Sequence, residues 1–322
     1  RNMVTGASTA DLSVILVDAR HGVLEQSKRH AYVSALLGVP HLVVCVNKMD
    51  LVDFDQDRFE AIKSELDAIC EKLDFNDVLV VPMSALHGDN VVDGSERMPW
   101  YTGPPLLRYL EEVEPESDRN LRNARFPVQW VVRPMSDEHH DYRAYAGQVA
   151  AGILRRGDEV AVMPSGATSR IEAIATYDGE LEEAYPPMSV SIRLSDRLDI
   201  SRGDVICDAG SPPSPSRELQ ADVCWMSKRS LQSGDRFLLR AGTAAVKAVV
   251  DELEWVLDVH TLDPAPVSGS LELNDIGRIV LRTSAPIVCD TYRENRATGC
   301  FILVDEASGD TVAAGMVTEA RA

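Results

Sequence analysis

His41-Leu42-Val43-Val44-Cys45-Val46-Asn47-Lys48-Met49-Asp50 is the stretch on which the reading of this chain turns. An almost continuously apolar, valine-rich run passes without a break into Asn47, Lys48 and Asp50. Such a run is the pattern of a strand buried on both faces, as in a parallel sheet. Two similar runs bracket it. Leu12-Ser13-Val14-Ile15-Leu16-Val17 ends in Asp18, and Val78-Leu79-Val80-Val81-Pro82-Met83 ends in Ser84. Between the second and third runs, Phe59, Ile62, Leu66, Ile69 and Leu73 recur at alternating spacings of 3 and 4, one apolar stripe of an amphipathic helix. A second helix is predicted over Glu25 to Leu37, closed by Gly38 and followed by Pro40, both at home just past a helix C-terminus. Strand, helix, strand, helix, strand at this spacing predicts a parallel α/β sheet.

The pattern changes downstream. Glu111 to Arg125 is charged and contains Pro115, which predicts a linker. From Phe126 onward helical periodicity fades, and Val190-Ser191-Ile192-Arg193-Leu194 alternates as a half-buried strand does. Gly157-Asp158, Gly203-Asp204, Gly234-Asp235 and Gly309-Asp310 read as turns, because both residue types tolerate unusual backbone angles. Gly210-Ser211-Pro212-Pro213-Ser214-Pro215 is too rich in proline for the interior of an element. The expected division is an α/β domain over 1–113, a linker over 114–125, and all-β domains over 126–210 and 216–322.

Composition bounds the function. The 322 residues are 45% hydrophobic and 26% charged, ordinary for a globular protein and unlike a disordered or fibrous one. A net charge of −19 makes the chain a poor general binder of nucleic-acid phosphate. The six cysteines lie far apart with no C-x-x-C pair, so neither a disulfide scaffold nor a zinc site is expected, and reduced thiols in a cytoplasm are. No apolar run approaches the roughly 20 residues of a membrane span. Arg1-Asn2-Met3 does not read as a natural start, and a preceding segment is expected.

Open α/β sheets bind ligands at the carboxyl ends of their strands. There Asn47-Lys48-x-Asp50 offers what guanine needs. The Asp50 carboxylate can accept from the ring N–H and the exocyclic amine, Asn47 can brace the adjoining loops, and the Lys48 stem can lie along the base. Ser84-Ala85-Leu86, after the next strand, can approach from the other side, with the Ala85 N–H free to meet the guanine carbonyl oxygen. Adenine presents the wrong donors to that carboxylate, and an unpaired buried acceptor costs about 1–3 kcal/mol or more. The blander alternative is a polar loop whose Asp caps the next helix, a task that Asp53 or Asp55 could equally perform.

Asn-Lys-x-Asp and Ser-Ala-Leu are similar to the fourth and fifth motifs of translation-factor GTPases. Within that superfamily the chain resembles the GTPase (large) subunit of sulfate adenylyltransferase. The residues that carry this are Arg1 to Asp11, Val17 to Gln26, Ser84 to Val91, Trp100-Tyr101-Thr102-Gly103-Pro104 and Phe126-Pro127-Val128-Gln129-Trp130. The resemblance implies a partial P-loop G domain holding the last three parallel strands, with Leu12–Val17 left as an unprotected edge, followed by two β-barrels in an elongation-factor-like layout. It implies GTP and Mg²⁺ as cofactors, with the magnesium ligands in a preceding segment. It also implies a small catalytic ATP sulfurylase subunit as partner, and GTP hydrolysis that drives formation of adenosine 5′-phosphosulfate from ATP and sulfate. Asn47, Lys48, Asp50, Ser84, Ala85 and Leu86 are the expected guanine-site residues; no catalytic or metal-binding residue, membrane or nucleic-acid partner is expected in these residues. An elongation-factor-type GTPase is the alternative.

Other clusters weigh less. Glu138-His139-His140-Asp141 lacks metal-ligand spacing and reads as a solvated loop. The Arg-Gly-Asp tripeptides at 156–158 and 202–204 read as hairpin turns, and Glu111, Glu112, Glu114 and Glu116 as a solvated helix end and linker; His21 and His87, near strand ends, read as surface residues by default, with a nucleotide-linked role as the alternative. The family's Gly-x-x-x-x-Gly-Lys-[Ser/Thr] and Asp-x-x-Gly-His motifs do not occur among the 322 residues. Phosphoryl transfer depends on such backbone cradles and their metal. The purified chain is therefore expected to lack useful GTPase activity; robust magnesium-dependent release of phosphate from GTP would contradict this.

Overall fold

A computed structural model describes residues 2–7, 10–114, 120–133 and 142–321. The chain forms two compact units, residues 1–118 with 257–265 and residues 119–256 with 266–322. The Glu138–Asp141 cluster and Glu116 lie outside the described residues. No helix among those described is long and apolar enough to cross a membrane.

The first unit contains α1 (Asn2–Ala7), β1 (Leu12–Asp18), α2 (Glu25–Leu36), β2 (His41–Asn47), α3 (Gln56–Cys70), β3 (Asp77–Pro82) and α4 (Leu106–Glu112), with a 3₁₀ turn at Met49–Val52. The three strands are parallel in the order β1-β2-β3, with Asp18 opposite Asn47 and Val46 opposite Pro82. Strand β2 is buried from Leu42 to Val46, as its unbroken apolar run requires. Helix α3 buries the predicted Phe59, Ile62, Leu66 and Ile69, each contributing on the order of 2 kcal/mol of burial. Asp55, one of the two anticipated capping residues, accepts the Asp57 N–H at 3.0 Å and starts that helix.

Burial on both faces holds for β2 and fails for β1. Ile15 and Val17 are buried, whereas Val14 and Leu16 on the opposite face are 45% and 65% exposed. Strand β1 is an edge strand of the sheet, and its core packing covers a single face. An apolar run without alternation cannot reveal that difference.

The second unit is all β. Its first barrel comprises β4 (Arg125–Val132), β5 (Ala144–Gln148), β6 (Leu154–Arg155), β7 (Glu159–Met163), β8 (Ala167–Thr176), β9 (Gly179–Leu181), β10 (Glu183–Ala184), β11 (Ser189–Leu194) and β12 (Val205–Asp208). The order β11-β5-β4-β12-β7-β8 closes through β8–β11 pairing, while β9 extends β8 and β6 pairs with β10. The alternation read in the sequence places Val190, Ile192 and Leu194 inside. The second barrel is built from β13 (Pro215–Trp225), β14 (Arg236–Ala241), β15 (Ala244–Asp258), β17 (Ile276–Val288), β18 (Cys300–Val304) and β19 (Thr311–Arg321), while β16 (Asp263–Ala265) falls in the segment grouped with the first unit. Its order β14-β18-β19-β13-β17-β15 closes through β14–β15. Trp225 and Phe237 meet edge-on at 5.7 Å in its core. The four Gly-Asp turns have their glycines at φ between 74° and 104°, the left-handed region where a side chain is strained.

None of the six cysteines is in a disulfide. Burial pushes the thiols of Cys45 and Cys207 up to about 11 and those of Cys224 and Cys289 up to about 12, so they stay protonated at neutral pH.

Within this unit a buried ion pair ties the first barrel to the second. Arg125 Nη2 donates to Asp290 Oδ1 at 2.9 Å, and Arg125 Nε donates to Asp290 Oδ2 at 3.0 Å. Their side chains are 5% and 11% exposed, and Thr298 Oγ1 also donates to Asp290 at 2.5 Å. Removing one partner leaves the other charge buried without its counterion. Arg125→Met is expected to cost about 3–5 kcal/mol in urea denaturation, and Arg125→Met with Asp290→Leu distinctly less. Equal losses would contradict that account.

Candidate functional site

The parallel register brings three loops to one end of the first unit's sheet. Asp18 ends β1, Asn47 ends β2 beside it, and Ser84 follows β3 by way of Met83. Parallel strands must deliver their carboxyl ends to the same edge, so the two motifs separated in sequence become neighbours.

Asn47 holds the loops together. Its Oδ1 accepts the Lys48 N–H at 2.7 Å and the Ala85 N–H at 3.0 Å. The Ala85 amide, free to meet guanine in the sequence-based expectation, is therefore engaged by Asn47. The Lys48 backbone is left-handed at φ 67°, and Asp53 and Phe54 at the far end of the same turn are left-handed at φ 55°. Three non-glycine residues in that region over so short a loop store strain that the surroundings must hold, a feature that clusters at functional sites. Trp100 helps from outside, its Nε1 donating to the Phe54 carbonyl at 3.3 Å and its ring packing on Phe59 at 5.3 Å, tilted by 38°.

Asp50 sits on the 3₁₀ turn with its side chain 13% exposed. The fully buried Ser84 donates its hydroxyl to Asp50 Oδ1 at 2.6 Å. Lys48 does not neutralise that carboxylate; its ammonium donates to Asp18 Oδ2 at 2.8 Å instead. The structure thus joins Asn47, Asp50, Ser84 and Ala85 in one hydrogen-bonded group. It carries Lys48 to the end of β1 and leaves Leu86 82% exposed in the same loop.

Two further residues stand at this edge, Asp18, which the sequence reading did not assign, and His87, whose default reading was a surface residue. Asp18 accepts from Lys48 and, at 2.6 Å, from Arg20. The Arg20 hydrogen bond is the largest influence, joined by that of Lys48, and together they hold the Asp18 carboxyl well below the usual carboxylate range. The signal was present, since Asp18 ends the first apolar run, but only the register with Asn47 gives it meaning. His87 is the second, with Nε2 at 4.0 Å from Asp50 Oδ2. His21 is exposed in the turn after β1. Among the described residues no group of three or more His, Cys, Asp or Glu side chains is placed to hold a metal ion.

A carboxyl group whose folded-state pKa is depressed stabilises the fold above its unfolded pKa, and the contribution is lost as pH falls through the folded value. Asp18→Asn is accordingly expected to lower stability by less than about 1 kcal/mol at pH 7, since its partners are largely exposed. The difference from the parent should shrink below about pH 4 in urea unfolding curves. A difference that grows on acidification would contradict the pairing.

Residues 1–116 match the elongation factor Tu GTP binding domain, and residues 218–318 match the GTP-eEF1A C-terminal domain-like family. The bifunctional enzyme CysN/CysC of Mycobacterium tuberculosis is 52% identical over 318 residues, 98% of this chain and 52% of that protein. Sulfate adenylyltransferase subunit 1 of Teredinibacter turnerae is 45% identical over 322 residues, 100% of this chain and 68% of that protein. The crystal structure of Sup35 complexed with GMPPNP superposes with a TM-score of 0.57 at 26% identity, covering 98% of this chain and 80% of that one. The chain spans about half the length of the bifunctional relatives it matches. On this similarity along its whole length, the chain belongs to the sulfate adenylyltransferase subunit 1 family, within the translation-factor GTPase superfamily.

Proposed function

We propose that this chain carries the guanine-reading part of the G domain and the two barrels of a GTPase subunit of sulfate adenylyltransferase. In that enzyme GTP hydrolysis drives the formation of adenosine 5′-phosphosulfate and pyrophosphate from ATP and sulfate in sulfate assimilation. Adenylyl transfer belongs to a small catalytic subunit that binds this one in the cytoplasm. The two subunits are coupled by a nucleotide-dependent change in how they fit. Nothing in the sequence resembles a site for the α-phosphate of ATP, in keeping with a regulatory role. The corresponding division of the chain is a G-domain part over 1–113, a linker over 114–125, and barrels over 126–210 and 216–322.

The observation that carries this reading is the state of Asp50. Its largely buried carboxylate is held by the hydroxyl of Ser84, while the adjacent lysine pairs with Asp18. A carboxylate aligned without direct neutralisation by that lysine suits the paired N–H donors on the Watson–Crick edge of guanine. Asn47, Lys48, Asp50, Ser84, Ala85 and Leu86 form the base-reading site, with Asn47 fixing the loops and Asp50 making the discrimination. GTP fits this end of the sheet. A magnesium ion does not fit the described residues, and its ligands belong to the phosphate loop and switch segment expected upstream.

An elongation-factor-type GTPase shares the G-domain and barrel similarity. Identities of 45–52% with relatives named for sulfate adenylyltransferase and CysN/CysC favour the first reading, as does a net charge of −19, adverse to an RNA ligand.

In the longer gene product, Asp50→Asn is expected to weaken GTP binding about 10-fold to 100-fold and to favour xanthine nucleotide, because an amide can serve xanthine's carbonyl where the carboxylate served guanine's amine. Competition binding with GTP and xanthosine triphosphate checks this. Unchanged selectivity would defeat the assignment.

A further inference from the structure

The loop leaving β3 folds back on itself as a tight turn. The Ser84 carbonyl accepts the amides of His87 at 3.2 Å and Gly88 at 2.8 Å, Gly88 takes φ 83°, and Ser84 pairs with Asp89 across the turn. This geometry sets His87 Nε2 at 4.0 Å from Asp50 Oδ2. Ser84 occupies the other oxygen, Oδ1, so the imidazole faces the one the serine leaves. The His87 side chain is 44% exposed and reaches protons from solvent, whereas that of Asp50 is 13% exposed. The other charges at this edge are engaged elsewhere: Lys48 and Arg20 on Asp18, and Arg97 on Asp89. Among the described residues, His87 is the basic side chain that approaches Asp50, at ion-pair range only when its imidazole is protonated.

We propose that His87 is a specificity-tuning residue of the guanine site, setting its affinity through the charge of the imidazole. This rests on the reading of Asp50 as the carboxylate that recognises guanine. With the imidazole neutral, Asp50 Oδ2 keeps its full charge for the ring N–H and exocyclic amine of the base. With the imidazole protonated, an imidazolium at 4.0 Å competes for that oxygen and weakens the charge-assisted hydrogen bonds it can make. Solvent screens a half-exposed pair, which limits the change to about fivefold.

The test is competition binding of GDP to the longer gene product at about pH 5.5 and about pH 8. The parent is expected to bind GDP about fivefold more weakly at the lower pH. His87→Gln should remove that pH dependence and hold the tighter value, and His87→Lys should hold the weaker value at both pH values. If neither substitution alters the pH profile while Asp50→Asn still weakens GDP binding, His87 has no such role and the guanine reading stands. If GDP does not bind, or binds regardless of Asp50→Asn, the guanine reading fails and His87 falls with it.

Discussion

One side-chain oxygen, Asn47 Oδ1, receives two backbone amides from different loops, Lys48 at 2.7 Å and Ala85 at 3.0 Å. Those loops are neighbours in space and distant in sequence, and beyond the paired ends of β2 and β3 the clasp is joined by the Met49 N–H donating to the Met83 carbonyl at 3.2 Å. The amide clasp fixes their separation. It also fixes the left-handed turn at Lys48, which swings that side chain toward Asp18 and sets Asp50 on its 3₁₀ turn facing Ser84. Without the clasp, strain in the turn would relax at the cost of the geometry around Asp50.

Division of labour among the charges follows from this. Asp18 gathers both nearby cations, Arg20 and Lys48, and becomes an ion-paired structural group with a depressed pKa. Asp50 is held by a neutral hydroxyl instead. Two carboxylates at neighbouring strand ends thus differ in what they can still accept: one is saturated by cations, the other keeps its capacity for N–H donors.

Much of this was readable in advance, for identifiable reasons. The apolar runs located β1, β2 and β3, and the spacing of Phe59, Ile62, Leu66 and Ile69 located α3, because burial on one helix face imposes that period. Asn47, Asp50, Ser84 and Ala85 stood out because strand ends in a parallel sheet share an edge. What escaped depends on pairing at a distance. The edge position of β1 was expected from the family resemblance, but which of its side chains stay exposed, Val14 and Leu16, is not encoded in a run without alternation. The capture of Lys48 by Asp18 needs the register between β1 and β2. Arg125 and Asp290 are separated by 165 positions and share no local pattern at all.

The buried Arg125–Asp290 strap also bears on how the barrels can move. Each barrel is closed on itself by hydrogen bonds, and a closed cylinder resists bending. Sliding one across the other would drag a guanidinium and a carboxylate out of register in a low-dielectric seam, an energetically steep path. The strap therefore sets a cost on sliding one barrel across the other that a surface contact between them would not impose.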